Sequence, residues 1–199
     1  MFNEISKRVT LWLKRHGAVQ TELQDVYEYA IFNILHIAIP IMIVLCMGIA
    51  MNMLPEALFL YLPFYFMRKY SGGYHMKTAA RCLIGTSVIL LGCLLIADHL
   101  STYVFYYVLV AVSVVSLIIH SPIDSNNRRL TDEEKRYCHR RATYLAVLSE
   151  AIFIILVMWE KNRISNFWGM GIIMTASLQL PVIVTNRFCK NNDQKRQED

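Results

Sequence analysis

RKYSGGYHMKTAARC, residues 68–82, is a basic, glycine-containing break inside an otherwise oily chain. One apolar run ends just before it, near Phe66, and another begins at about Cys82, so the stretch separates two hydrophobic helices at a membrane surface. It also gathers the groups that do chemistry. His75 stands seven residues before Cys82, with Gly72 and Gly73 just upstream.

A thiol at its ordinary pKa of about 8.5 is mostly protonated near neutrality, so a nucleophilic cysteine needs an adjacent base or positive surroundings. Cys82 has candidates for both. It falls in the first turn of the expected helix, where free backbone N–H groups favour a thiolate, and Lys77 and Arg81 add positive charge. His75 is the natural proton acceptor. Gly72 and Gly73 let the loop fold back over the helix start, because glycine reaches positive φ without a steric penalty. Bare backbone there can also aim N–H donors at a developing oxyanion. Singly, each residue has an ordinary reading: a buried thiol such as Cys46 or Cys93, a turn, a solvated histidine. Their clustering at the mouth of a membrane helix points to catalysis.

The run Arg68, Ser71-Gly72-Gly73, His75, Lys77-Thr78 and Cys82 closely resembles the signature of the accessory gene regulator B (AgrB) family. These are membrane-embedded cysteine endopeptidases that process a quorum-sensing propeptide in Gram-positive bacteria. Ser121-Pro122-Ile123-Asp124, followed by Asn127-Arg128-Arg129-Leu130 and Glu133-Glu134-Lys135, resembles the family's proline-acid loop between its middle helices. The likeness extends over essentially the whole chain in length, hydropathy and helix order. It maps the family's essential residues onto Arg68, Gly73, His75 and Cys82. It implies an AgrD-like propeptide as substrate, whose acidic C-terminal tail is removed before an internal thiol or hydroxyl closes a thiolactone or lactone.

Composition sets the class independently. With 199 residues, 55% apolar content and a mean hydropathy of +0.36, the chain reads as one all-α, polytopic membrane domain over residues 1–199. The net charge of +5 is not a nucleic-acid signal, since the lysines and arginines lie between apolar segments, where they set topology and meet anionic lipid heads. The five cysteines show neither disulfide nor zinc spacing, and neither metal nor cofactor is indicated.

Residues 1–28 form a helical arm rather than a signal peptide. Phe2, Ile5, Val9, Trp12 and Leu13 recur at helical spacing, as in a helix lying in the membrane interface, with Gly17 as its end. Thr21 and Gln24 match a capping box for the next helix. Spans are expected at about 30–54, 80–97, 100–119, 142–159 and 164–185, with a shorter segment at 55–66 broken by Pro63. If 55–66 is re-entrant, the catalytic loop lies outside; if it crosses, six spans put every lysine and arginine except Lys161 and Arg163 on one side. The positive-inside rule therefore favours six transmembrane segments, the second one short, with both termini, the 186–199 tail and the catalytic loop in the cytosol of a bacterial cell membrane.

Glu150 sits inside a span, where a charge is expensive, and either lines the substrate cleft or is held between helices. Cys138 and His139 are helix neighbours, pointing about 100° apart, and are unsuited to act as nucleophile and base. Asp124 is a candidate to orient His75; the third catalytic member stays open. The expected function is a cysteine endopeptidase, with Cys82 and His75 catalytic and Ser71, Gly72 and Gly73 shaping the turn. Arg68, Lys69 and Lys77 are candidates to hold an acidic tail. Its partners are the propeptide and membrane lipids, and an exposed apolar face allows a homodimer. The rival reading is a non-enzymatic peptide exporter, in which Cys82→Ser leaves activity intact.

Overall fold

The computed structural model describes residues 2–73, 79–99, 104–123, 131–159 and 162–185. These form seven α-helices, with no strand among the described residues: α1 (Phe2–Arg15), α2 (Gln24–Ala50), α3 (Leu54–Ser71), α4 (Ala79–His99), α5 (Val104–His120), α6 (Asp132–Met158) and α7 (Asn162–Ser177). A short 3-10 turn, Thr21–Leu23, precedes α2. His75, Lys77, Asp124 and the 186–199 tail lie outside the described residues.

Four segments are long and apolar enough to cross a membrane: Thr21–Ala50, Ala80–His99, Asp132–Met158 and Arg163–Thr185. Helix α5 is a shorter apolar helix, and α3 carries Glu56, Arg68 and Lys69 in its 18 residues. The expected break at Pro63 does not occur. Helix α3 runs through it to Ser71, which at 1.5 Å per residue makes it about 27 Å long, much longer than the apolar stretch 55–66 suggests.

The bundle is built around α3 and α7. Ala57, Leu60, Phe64 and Met67 of α3 and Phe167, Ile172 and Met174 of α7 are buried, and α4, α5 and α6 pack around them through Leu90 and Leu94, Val110 and Leu117, and Ala146 and Phe153. Inside a bilayer the lipid is as apolar as the core, so close packing rather than water exclusion holds such helices together. Two glycines of α7 permit it. A Cβ on Gly171 would collide with the Leu60 carbonyl and Pro63 of α3, and one on Gly169 would lie 2.6 Å from the Tyr106 hydroxyl. That hydroxyl donates to the Asn166 carbonyl at 2.5 Å. Trp168 Nε1 donates to the carbonyl and hydroxyl of Ser149 on α6, each at 3.0 Å. By contrast Ile34, Ile49, Val88, Val112 and Ile119 face outward, as apolar residues do where lipid surrounds a helix.

Helices α3 to α7 run between two shared ends. At one end Arg163, in the first turn of α7, pairs with Glu56 at 3.2 Å and Asp98 at 3.1 Å, from the start of α3 and the end of α4. At the other end the close of α3, the residues after α5, the first turns of α6 and the residues after α7 converge, as detailed below.

The arm packs on α2 through small polar residues. Ser6 and Thr10 are buried, their hydroxyls donating to carbonyls one turn back, while Ile5, Val9 and Trp12 face out. Gly17 follows α1 at φ +73°. The Thr21/Gln24 capping box does not form; Gln24 Oε1 instead accepts from Lys14 Nζ at 3.0 Å, fastening the arm to α2. A capping box is present at Thr131 and Glu134, starting α6.

Candidate active site

Helix α3 ends in the glycine pair, and the end is satisfied by two distant parts of the chain and by the helix's own Arg68. The last carbonyls of a helix have no partner within it. Here Ser71 O accepts from the Ile123 backbone N–H at 3.0 Å and from Gln179 Nε2 at 3.0 Å, and Gly72 O accepts from Arg68 Nη1 at 2.6 Å. Gly72 then pairs with Ile123 as an isolated parallel bridge. Its φ of +69° suits glycine after a helix end, and a Cβ would lie 2.5 Å from the Ile123 carbonyl. Gly73, at φ +127°, is tighter still: a Cβ there would strike Arg68 Nη1 and come within 3.1 Å of Leu178 O.

The two motifs singled out in the sequence, Ser71-Gly72-Gly73 and Ser121-Pro122-Ile123, are therefore one structure. Two residues outside both motifs hold it. Gln179, fully buried, gives its second amide N–H to Ser121 Oγ at 3.0 Å. His139 Nδ1 lies 2.7 Å from the Ser121 carbonyl, and since a carbonyl only accepts, Nδ1 carries the proton. His139 is thus turned toward Ser121 and not paired with Cys138. Gln179 was not readable as a site residue, for a glutamine near the end of a helix has no periodic or motif signature.

Cys82 lies in the first turn of α4 as a half-buried free thiol. Arg68, past the apolar part of α3, is within electrostatic reach of it: burial lowers the Arg68 pKa and a charged Cys82 raises it. The structure so brings Arg68, Ser71, Gly72, Gly73 and Cys82 to one end of the bundle. Lys69 is exposed, its ammonium 5.6 Å from the neighbouring Tyr70 ring. Glu150 is not at this end. It lies eleven residues beyond His139 on α6, about 16 Å deeper by helical rise, half-buried and with Oε2 lacking a hydrogen-bond partner. Asp98 closes the opposite end of the bundle. Among the described residues no three histidine, cysteine or acidic side chains converge as metal ligands.

Beside the glycine turn, Tyr70 meets Tyr137 of α6 edge-on, ring centroids 6.5 Å apart. From there an open groove of about 410 Å³ runs along α6, lined by Tyr137, Arg140, Arg141 and Tyr144. Arg141 lies over the Tyr137 ring at 5.4 Å. The end of the bundle that carries the thiol is thus basic and aromatic.

Comparison with known proteins agrees with this picture. An AgrB-like protein of Clostridium perfringens strain SM101 is 22% identical over 192 residues, covering 92% of this chain and 87% of that protein. A second, AgrB-like protein 2 of strain 13, is 24% identical over 191 residues, covering 92% and 86%. No solved structure matches the chain. The profile of Accessory gene regulator B matches residues 6–183, taking in the glycine turn, Cys82, the Ser121 loop and Gln179. With that match across nearly its whole length and its set of apolar helices, this membrane protein belongs to the Accessory gene regulator B family, which places it in agr-type quorum sensing.

Proposed function

We propose that the chain is a membrane-embedded cysteine endopeptidase that removes the C-terminal tail of an AgrD-like propeptide and promotes cyclisation of the remainder. The observation that carries this reading is the setting of Cys82, a free thiol in the first turn of α4 with the Arg68 guanidinium, itself clamped to Gly72, in electrostatic reach. His75 supplies the base in this reading.

Cys82 Sγ bonds to the scissile carbonyl carbon while its proton passes to a His75 ring nitrogen. Backbone N–H groups near Gly73 or the start of α4 receive the oxyanion. Collapse breaks the C–N bond, His75 returns the proton to the leaving amine, and the acyl group stays on Cys82 as a thioester. A thiol or hydroxyl within the retained peptide then attacks that carbonyl and expels the Cys82 sulfur, its own proton returning through His75. A thiolactone forms this way without loss of activation, because one thioester replaces another, whereas hydrolysis would discard it.

The groove on α6 supports an acidic tail as the leaving segment, with Arg140 and Arg141 lining it; Lys69, exposed on α3, adds to the positive charge of the same end of the bundle. The same excess of basic residues favours a cytosolic location for this end of the bundle. Helix α1 then lies in the membrane interface, presenting Ile5, Val9 and Trp12 to lipid.

Co-expression with an acidic-tailed AgrD-like propeptide, followed by mass spectrometry, tests the reading. Tail removal is lost in Cys82→Ala and in His75→Ala at normal membrane levels, and an acyl adduct is found on Cys82 of the unaltered chain. Persistent cleavage by Cys82→Ala rejects it and returns the chain to the exporter reading.

A further inference from the structure

Building on the cysteine-peptidase reading, we propose that Gln179 is a positioning residue: its side-chain amide ties the end of α3 to the loop after α5 and so sets the Gly72-Gly73 turn and Arg68 at the end of the bundle that carries Cys82. Gln179 sits where α7 is interrupted, between Ser177 and the helical residues from Leu180. Both of its amide N–H groups are used, on the Ser71 carbonyl and on Ser121 Oγ, each at 3.0 Å and across 108 and 58 residues of sequence. The orientation of the amide is set by chemistry, since the Ser71 carbonyl can only accept.

The same interruption touches the turn a second time. It brings Leu178 O against Gly73, so that Gly73 is enclosed between that carbonyl and the Arg68 guanidinium. Loosening Gln179 would free Ser71 and Leu178 together, and with them the backbone on which Arg68 is anchored through Gly72 O.

Packing alone does not call for a glutamine here. Its Oε1 is buried without a hydrogen-bond partner, a cost that a methionine of similar volume would avoid. What glutamine adds is the pair of donors. Nothing places Gln179 against the thiol itself, so it acts on the reaction through the turn.

The test uses the full-length chain in lipid vesicles with an acidic-tailed AgrD-like propeptide. Cys46, Cys93, Cys138 and Cys189 are replaced by serine so that alkylation of Cys82 counts active sites. Gln179→Met keeps the volume and removes both donors; kcat per active site is expected to fall about tenfold or more, with KM within about twofold. A residue that only packs would lower the number of active sites and leave kcat per site unchanged. Ser121→Ala removes one acceptor and is expected to lower kcat about threefold, adding nothing further in the Gln179→Met background because both act on one lock. Ser113→Ala, whose hydroxyl bonds only its own helix at Leu109 O, serves as the control and stays within about twofold. A kcat within about twofold of the unaltered chain for Gln179→Met overturns the proposal. Should that variant fail to reach the membrane, an unchanged kcat for Ser121→Ala overturns it instead. Cleavage that survives Cys82→Ala rejects the peptidase reading and this proposal together, so the two failures are told apart.

Discussion

The Arg68 guanidinium occupies the space in which a side chain on Gly73 would lie. A Cβ built on Gly73 collides with Arg68 Nη1, and the φ of +127° is one that L-residues rarely adopt. Gly73→Ala must therefore move Arg68, move the turn, or both. Backbone strain of this kind costs about 1–3 kcal/mol, and if the site has to reach its native geometry for reaction, cleavage falls by about tenfold or more. Quantitative mass spectrometry of the released tail, normalised to membrane protein, checks this; full activity in Gly73→Ala would show that the turn is not part of the site.

Arg68→Lys is expected to be nearly as damaging as Arg68→Ala. Arg68 uses Nη1 on Gly72 O at 2.6 Å while its charge is felt by Cys82, and a single ammonium on a flexible stem does not reproduce the placement of the planar guanidinium. The expected loss is about tenfold or more in cleavage rate for both variants. Recovery to near wild-type rate in Arg68→Lys would mean that positive charge alone suffices.

Arg140 and Arg141 line the groove next to Tyr137, which meets Tyr70 beside the turn, and suit an acidic segment. Arg140→Glu/Arg141→Glu is expected to raise KM about fivefold or more while changing kcat little, an effect that weakens as salt is added. A fall in kcat with KM unchanged would move these residues from substrate capture to the chemistry.

Tyr106 is a stability residue, buried near the end of the bundle opposite the glycine turn. Its hydroxyl donates to Asn166 O at 2.5 Å. Tyr106→Phe removes that bond while Asn166 O keeps its helical partner, the Met170 N–H four residues on in α7, so the cost is about 1 kcal/mol, with a thermal midpoint in detergent lower by a few degrees. Cleavage by the folded fraction at low temperature is expected to persist, because the site lies at the other end of the bundle.

The end carrying Arg163, Glu56 and Asp98 lies opposite the glycine turn. In the cytosolic-site orientation, Arg163→Cys in a chain with its other cysteines replaced reacts in intact cells with a membrane-impermeant maleimide, and Lys69→Cys reacts only after the cells are opened. The reverse pattern would invert the topology. Because the Arg163 side chain is 61% exposed, its ion pairs contribute little, on the order of 1 kcal/mol or less, and cleavage by Arg163→Gln is expected to be unaffected.

Much of this protein could be read from the order of its residues. Helical class, membrane setting and the reactive stretch 68–82 are local properties: an apolar run needs internally satisfied backbone wherever it sits, and a basic, glycine-containing break between two such runs stands out against them. Cys82 at the start of a helix and Gly72-Gly73 as a turn follow from neighbours along the chain. The length of α3 was less legible, since Pro63 reads as a breaker. Within the bundle the helix passes through it, with Gly171 of α7 drawn up against Leu60 and Pro63. Tertiary structure alone decided what surrounds the turn. The bond from Gln179 to Ser71 closes a separation of 108 residues, and the bridge from Gly72 to Ile123 joins loops on different helices. Neither leaves a periodic trace, because each depends on where helix ends meet once α3 and α7 have packed. The sequence alone determined the kinds of residue available for chemistry; the packing of the helix ends decided which of them hold the turn at the end that carries Cys82, because a hydrogen bond is set by distance in space and not along the chain.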